Sequence, residues 1–168
     1  MKQIVFVGSL AVGLFLFLYL RKNKEVTKSD GEAAKIISTG TGSTRGQRNN
    51  NPFNIRYNAA NNWVGQLGSD GAFCVFDTMG HGVRAGGILL RNYLKQGNNT
   101  ISKILTKFAP TSDNNNTSKY IADVEKMSGI NKDVVLKNSD LWRIAVPMMY
   151  IESKYNATET DKVYFENA

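Results

Sequence analysis

The stretch "DLWRIAVPMMYIESKYNA", Asp140 to Ala157, decides how this chain is read. At about 100° per residue, Leu141, Ile144, Ala145 and Met148 form one apolar stripe of a helix, with Glu152 in its middle. A helix from Asp140 to about Ser153, capped by Ser139 or Asp140, therefore aims a carboxylate where the pattern asks for an apolar side chain. Burial disfavours the charged form of such a group and raises its pKa, as a general acid working near neutral pH requires. The rival reading ends the helix by Tyr150, with Pro147 disturbing it and Glu152 turned to solvent. Periodicity alone leaves both open.

Upstream, the residues alternate between short helices and loops. "RNNNPFNIRYN" (Arg48 to Asn58) reads as an Asn-rich loop entering an extended segment, with Pro52 holding Asn51 extended. "GAFCVFD" (Gly71 to Asp77) alternates Phe73 and Val75 against Cys74 and Phe76, as a strand does. An amphipathic helix follows in the second half of "TMGHGVRAGGILLRNYLKQG", facing Val83, Ile88, Leu89, Tyr93 and Leu94 inward and stopping at Gly97. Two more helices are predicted, from Thr100 to Ala109 and from about Thr117 to Met127, the second closed by Gly129. The fold class is α+β, mainly helical, with one small sheet or hairpin between Asn54 and Asp77.

At the other end, "IVFVGSLAVGLFLFLYL" (Ile4 to Leu20) carries no charge and reaches the lower limit for a bilayer-spanning helix, about 17 residues. The heavier positive flank, "RKNK" (Arg21 to Lys24), follows the run, and large residues fill its end. This favours an uncleaved anchor over a signal peptide and leans the body of the protein to the cytoplasmic side. The predicted organisation is an anchor with basic flank at 1–24, a flexible Gly/Ser/Thr-rich linker at 25–46, a compact domain at 47–157 and a polar C-terminal tail at 158–168.

The net charge of +7 suits an anionic partner. No basic stripe interleaved with aromatics points to nucleic acid, and the cluster after the anchor suits lipid headgroups. One cysteine, Cys74, and one histidine, His81, argue against a disulfide framework and a protein-ligated transition metal. No cofactor is expected. Cys74 and His81 could form a thiolate and base pair, but "FCVFD" makes Cys74 more naturally a packed strand residue.

Around Glu152, "YIESKYNA" resembles the Glu-Ser motif of lysozyme-like lytic transglycosylases, in which a catalytic Glu ends a helix, is followed by Ser, and soon by an aromatic-Asn pair. "NNNPFNIRYNAANNWVGQ" and "AFCVFDTMGHGVRAGGILL" resemble segments of the N-acetylglucosaminidases of autolysins and flagellar muramidases, and "NNTSKYIADV" is similar to that family's tyrosine-bearing segment. The same stretches resemble a group of phage virion-associated proteins with R-x-N-N-P-G-N-I-R, then F-x-V-F-D-x-x-x-x-G-x-R-A, then A-P-x-x-x-N-x-T-x-x-Y. Phe53 departs from that pattern, which has Gly.

The resemblance implies a lysozyme-like peptidoglycan-cleaving domain. Its Glu helix comes last instead of first, as circular permutation would arrange it. It further implies Glu152 as catalytic acid, with Asn54, Arg56, Tyr57, Tyr120 and Ser153 binding substrate. Trp63 is placed to stack on sugar or to join the core. Asp77 is the best of a weak set of second carboxylates. The expected partners are peptidoglycan glycan strands, a lipid membrane through residues 4–20 and other virion proteins. The expected location is a viral membrane, or the host inner membrane during assembly. Two alternatives stand beside this: a non-catalytic, membrane-anchored virion protein that binds glycan, and a wall endopeptidase using Cys74 and His81.

Overall fold

The computed structural model describes residues 39–168. The expected anchor and most of the expected linker lie outside the described residues. Among the described residues no helix is long and apolar enough to cross a membrane.

The chain is mainly helical. α1 (Arg45–Arg48) leads through the Asn-rich loop to a hairpin, β1 (Gln66–Ser69) and β2 (Cys74–Phe76). Then come α2 (Met79–Lys95), α3 (Ile101–Phe108), α4 (Thr117–Ser128), α5 (Leu141–Ser153) and α6 (Glu159–Glu166). Short 3-10 turns at Thr111–Asp113 and Asn138–Asp140 precede α4 and α5. The helix starts follow their capping residues: Thr78, Thr100 and Asn116 accept from the backbone N–H three residues on.

The strands pair antiparallel, Ser69 against Cys74 and Gln66 against Phe76, with a bulge between. Asp70 builds the turn by accepting from the N–H groups of Ala72 and Phe73, at 3.1 and 3.0 Å. Burial works against its charge, but Arg45, those N–H groups and the Asn49 amide hold its carboxyl well below the usual range. The expected alternation in the strand is not observed. Cys74, Val75 and Phe76 are all buried, because β2 is covered on both faces.

The Asn cluster does more than turn the chain. Asn51, fully buried, donates to the carbonyls of Ile55 and Cys74 and accepts from the Ile55 N–H. Asn50 donates to the Phe76 and Asp77 carbonyls. These side chains extend a short backbone pairing of residues 55–57 with residues 72–74, in which the Tyr57 N–H donates to the Ala72 carbonyl and the Cys74 N–H to the Ile55 carbonyl.

α2 packs its glycines, not Ile88, toward the interior. A Cβ at Gly82 would overlap the Asn50 carbonyl, and one at Gly86 would overlap the Phe53 ring. Ile88 is half-buried, while Val83 and Leu90 are in the core. Phe53, the departure noted above, thus fills the hollow that Gly86 leaves.

Two boundaries differ from expectation. The packed domain includes residues assigned to the linker: the N–H groups of Thr39 and Gly40 donate to the Arg48 carbonyl, and the Thr44 hydroxyl to the Ser153 carbonyl. The polar tail at 158–168 is instead the helix α6, started by a reciprocal cap between Thr158 and Asp161. It packs on α2, with Phe165 1% exposed and set edge-on to Trp142 at 5.2 Å between ring centres.

Candidate functional site

α5 runs unbroken through Pro147 to Ser153, so the carboxylate at 152 stays on the inward stripe. Leu141, Ile144, Ala145, Met148 and Met149 beneath it are essentially inaccessible. Glu152 itself is half-buried, because the stripe runs out into a cleft at that point.

The cleft has a volume of about 550 Å³ and lies between the loop Asn54–Trp63, α2 and the α3–α4 connection. Tyr57, Trp63, Phe73, Tyr93 and Phe108 are among its walls, and Glu152 stands at one end. A second hollow of about 470 Å³ opens on the other side of Glu152, between α4 and the end of α5. Glu152 and Asn115 border both.

Asn54 fixes the carboxylate. Its amide nitrogen donates to the Glu152 backbone carbonyl at 2.8 Å and to Oε2 at 3.1 Å. It does so from a left-handed backbone, φ +48°, a conformation Asn tolerates better than most residues. Tyr120, on α4 and buried, brings its hydroxyl beside the same carboxylate without reaching hydrogen-bond geometry with any acceptor. Burial first, then the Glu152 charge, pushes this phenol well above its ordinary range. Burial likewise pushes the Glu152 carboxyl up, against which the Asn54 amide and the nearby Tyr120 hydroxyl pull. The result is one carboxyl group, raised in pKa, at the junction of two hollows.

Of the other residues singled out from sequence, Arg56 and Tyr57 line the aromatic cleft with Asn54. Arg56 lies over the Phe73 ring at 5.4 Å and pairs with Asp113 at 3.3 Å. Ser153 is not available to a ligand. It is 1% exposed, and its hydroxyl lies 2.9 Å from the Pro52 and Met149 carbonyls, tying the end of α5 to the Asn-rich loop. Trp63 is half-buried against the core and also lines the cleft, with its indole N–H buried and unpaired.

Asp77 is away from this cleft's walls, bonded to His81 Nδ1 at 2.6 Å. Cys74 is fully buried, with its Sγ near the Arg56 carbonyl and the Gln66 side chain, and burial pushes its thiol up to about 11. That environment opposes thiolate formation, and the bonds of Cys74 and His81 do not join them. Among the described residues no group of three His, Cys, Asp or Glu side chains is placed to hold a metal ion.

Sequence reasoning missed Phe73, Tyr93 and Phe108 as cleft residues. Phe73 reads from sequence as a strand residue and Tyr93 as an inward helix residue, Phe108 carries no signal of its own, and all three reach the cleft only through the gap between α2 and the α3–α4 connection.

No family model matches this chain. It is 34% identical over 124 residues to "Protein P5" of Pseudoalteromonas phage PM2, a match spanning 71% of this chain and 77% of that protein. The chain belongs to the family of that phage protein.

Proposed function

We propose that this member of the phage protein P5 family is a membrane-anchored virion enzyme that cleaves the β-1,4 glycan strand of peptidoglycan, with Glu152 as its acid and base. The single observation that carries the reading is the Glu152 carboxyl. It is half-buried between two hollows, raised in pKa by burial and oriented by Asn54. A protonated carboxyl so placed donates its proton to the glycosidic oxygen as the bond to that oxygen breaks.

A hydrolase working through two carboxylates needs a second one across the bond. The other acid lining the aromatic cleft, Asp113, is engaged by Arg56. A lytic transglycosylase has no such need. There the Glu152 carboxylate, having lost its proton, takes one from a hydroxyl of the substrate, whose oxygen closes on the sugar carbon as an anhydro ring. The resemblance to lysozyme-like domains in permuted order, and an anchor at residues 4–20 in a viral membrane, belong to the same proposal.

The test is lysis of cell walls by the purified protein and by Glu152→Gln, with products identified by mass spectrometry. Anhydro-muramyl ends support the transglycosylase and new reducing ends a muramidase. A correctly folded Glu152→Gln that lyses walls at the original rate sinks the assignment, and a wild-type protein that binds walls without products makes it a glycan-binding virion protein.

A further inference from the structure

The two hollows beside Glu152 differ in chemistry. The larger is walled largely by aromatic side chains, apolar surface that suits a neutral sugar, and its cations are engaged: Arg56 by Asp113, and Lys107 by the Gln96 side chain and the Tyr93 ring. The smaller is walled by Lys119, Tyr120, Asp123, Met127, Tyr150 and Lys154. Lys119 is paired with Asp123 at 2.5 Å. Lys154 forms no ion pair among the described residues and instead sets its ammonium over the Tyr150 ring, 4.9 Å from the centre.

Lys154 also sits in a backbone conformation that does not suit it. Its φ is +54°, at the left-handed position following α5, where its N–H reaches the Tyr150 carbonyl at 2.8 Å. Helices commonly use Gly or Asn there, because a Cβ is crowded by the neighbouring carbonyl. The turn is closed by the Lys154 N–H on the Tyr150 carbonyl, the Tyr155 N–H on the Met149 carbonyl and the Gln47 amide on the Lys154 carbonyl, and it holds the lysine two residues after the candidate acid, at the wall of its second hollow. Its side chain is exposed.

Resting on the glycan-cleaving reading, we propose that Lys154 determines specificity by binding a carboxylate of the substrate in the smaller hollow. Neutral sugar then lies in the aromatic cleft, and the scissile bond crosses Glu152. The carboxylate is that of the acidic amino sugar itself or of its attached peptide. An ammonium already resting on a ring face is partly pre-ordered to receive it.

The experiment measures binding in a Glu152→Gln background, so that it does not depend on turnover. Three probes are titrated: chitotetraose, which has no carboxylate; a peptide-free oligosaccharide of alternating N-acetylglucosamine and N-acetylmuramic acid; and the same oligosaccharide carrying its peptides. Lys154→Asn keeps a residue suited to positive φ and removes the charge. It is expected to weaken an acidic probe about fivefold more than chitotetraose, the scale of one partly exposed charge-assisted hydrogen bond, with Lys154→Arg restoring most of the loss. The probe first affected identifies the source of the carboxylate. Equal loss on all three probes, no loss, or a wild-type chain that binds none of them overturns the proposal. Preserved discrimination with no cleavage by the unsubstituted Glu152 protein overturns the catalytic reading alone.

Discussion

A single amide nitrogen of Asn54 donates to both the backbone carbonyl and the carboxylate of Glu152, across 98 residues of chain. The first bond locks the Asn54 side chain to the end of α5, and the second then sets the carboxylate direction. Replacing Asn54 by Gly keeps a backbone free to adopt φ +48° and removes only the amide. The expected result is lysis reduced about 100-fold, the usual cost of one preorganised donor, with stability lowered by about 1 kcal/mol. Wall turbidity and urea denaturation measure the two separately.

Because burial raises the Glu152 pKa in the folded state, the native chain keeps that proton to higher pH than the unfolded chain, where the group titrates near 4.5. The native state therefore binds more protons above that pH, and stability falls as pH rises from 4.5 through the folded value. Glu152→Gln removes the effect. Its melting temperature should match the wild type at acid pH and exceed it increasingly on the way to neutrality. Wild-type lysis should fall over the same window, as the acid form is lost. A melting difference that does not change with pH would refute the buried-acid account.

The approach of α2 to the Asn-rich loop depends on two glycines. Gly86→Ala drives a methyl into the Phe53 ring and is expected to cost about 1–3 kcal/mol in chemical denaturation. Adding Phe53→Leu to that variant makes room and should recover part of the loss, a coupling that independent sites would not show.

The C-terminal helix is part of the core. Phe165→Ala empties a site enclosed by Trp142 and the Arg91 side chain, and an expected loss of about 3–5 kcal/mol follows. If residues 158–168 were a solvated tail, the same substitution would leave the denaturation midpoint unchanged.

Much of the helical framework was legible from local chemistry. Thr100 starts α3 and Gly129 closes α4 as their local chemistry predicts, because capping is settled within a few residues. α6 was also written locally, in the Thr158–Asp161 cap, but its single fully buried ring, Phe165, makes too sparse a stripe to read as amphipathic. The inward glycines of α2 were not legible either. A glycine carries no hydrophobic signal, and its value lies in the partner backbone that it admits.

The sequence by itself determined that Glu152 falls on the apolar stripe of any helix that continues past Tyr150, since the 3.6-residue repeat fixes the direction of each side chain along it. It could not decide between a solvated end and a buried acid. Only the tertiary structure did that, by carrying α5 intact through Pro147 and bringing Asn54 from the loop and Tyr120 from α4 to the same carboxylate. Desolvation is a property of what surrounds a group, and here those surroundings come from chain segments far from it in sequence.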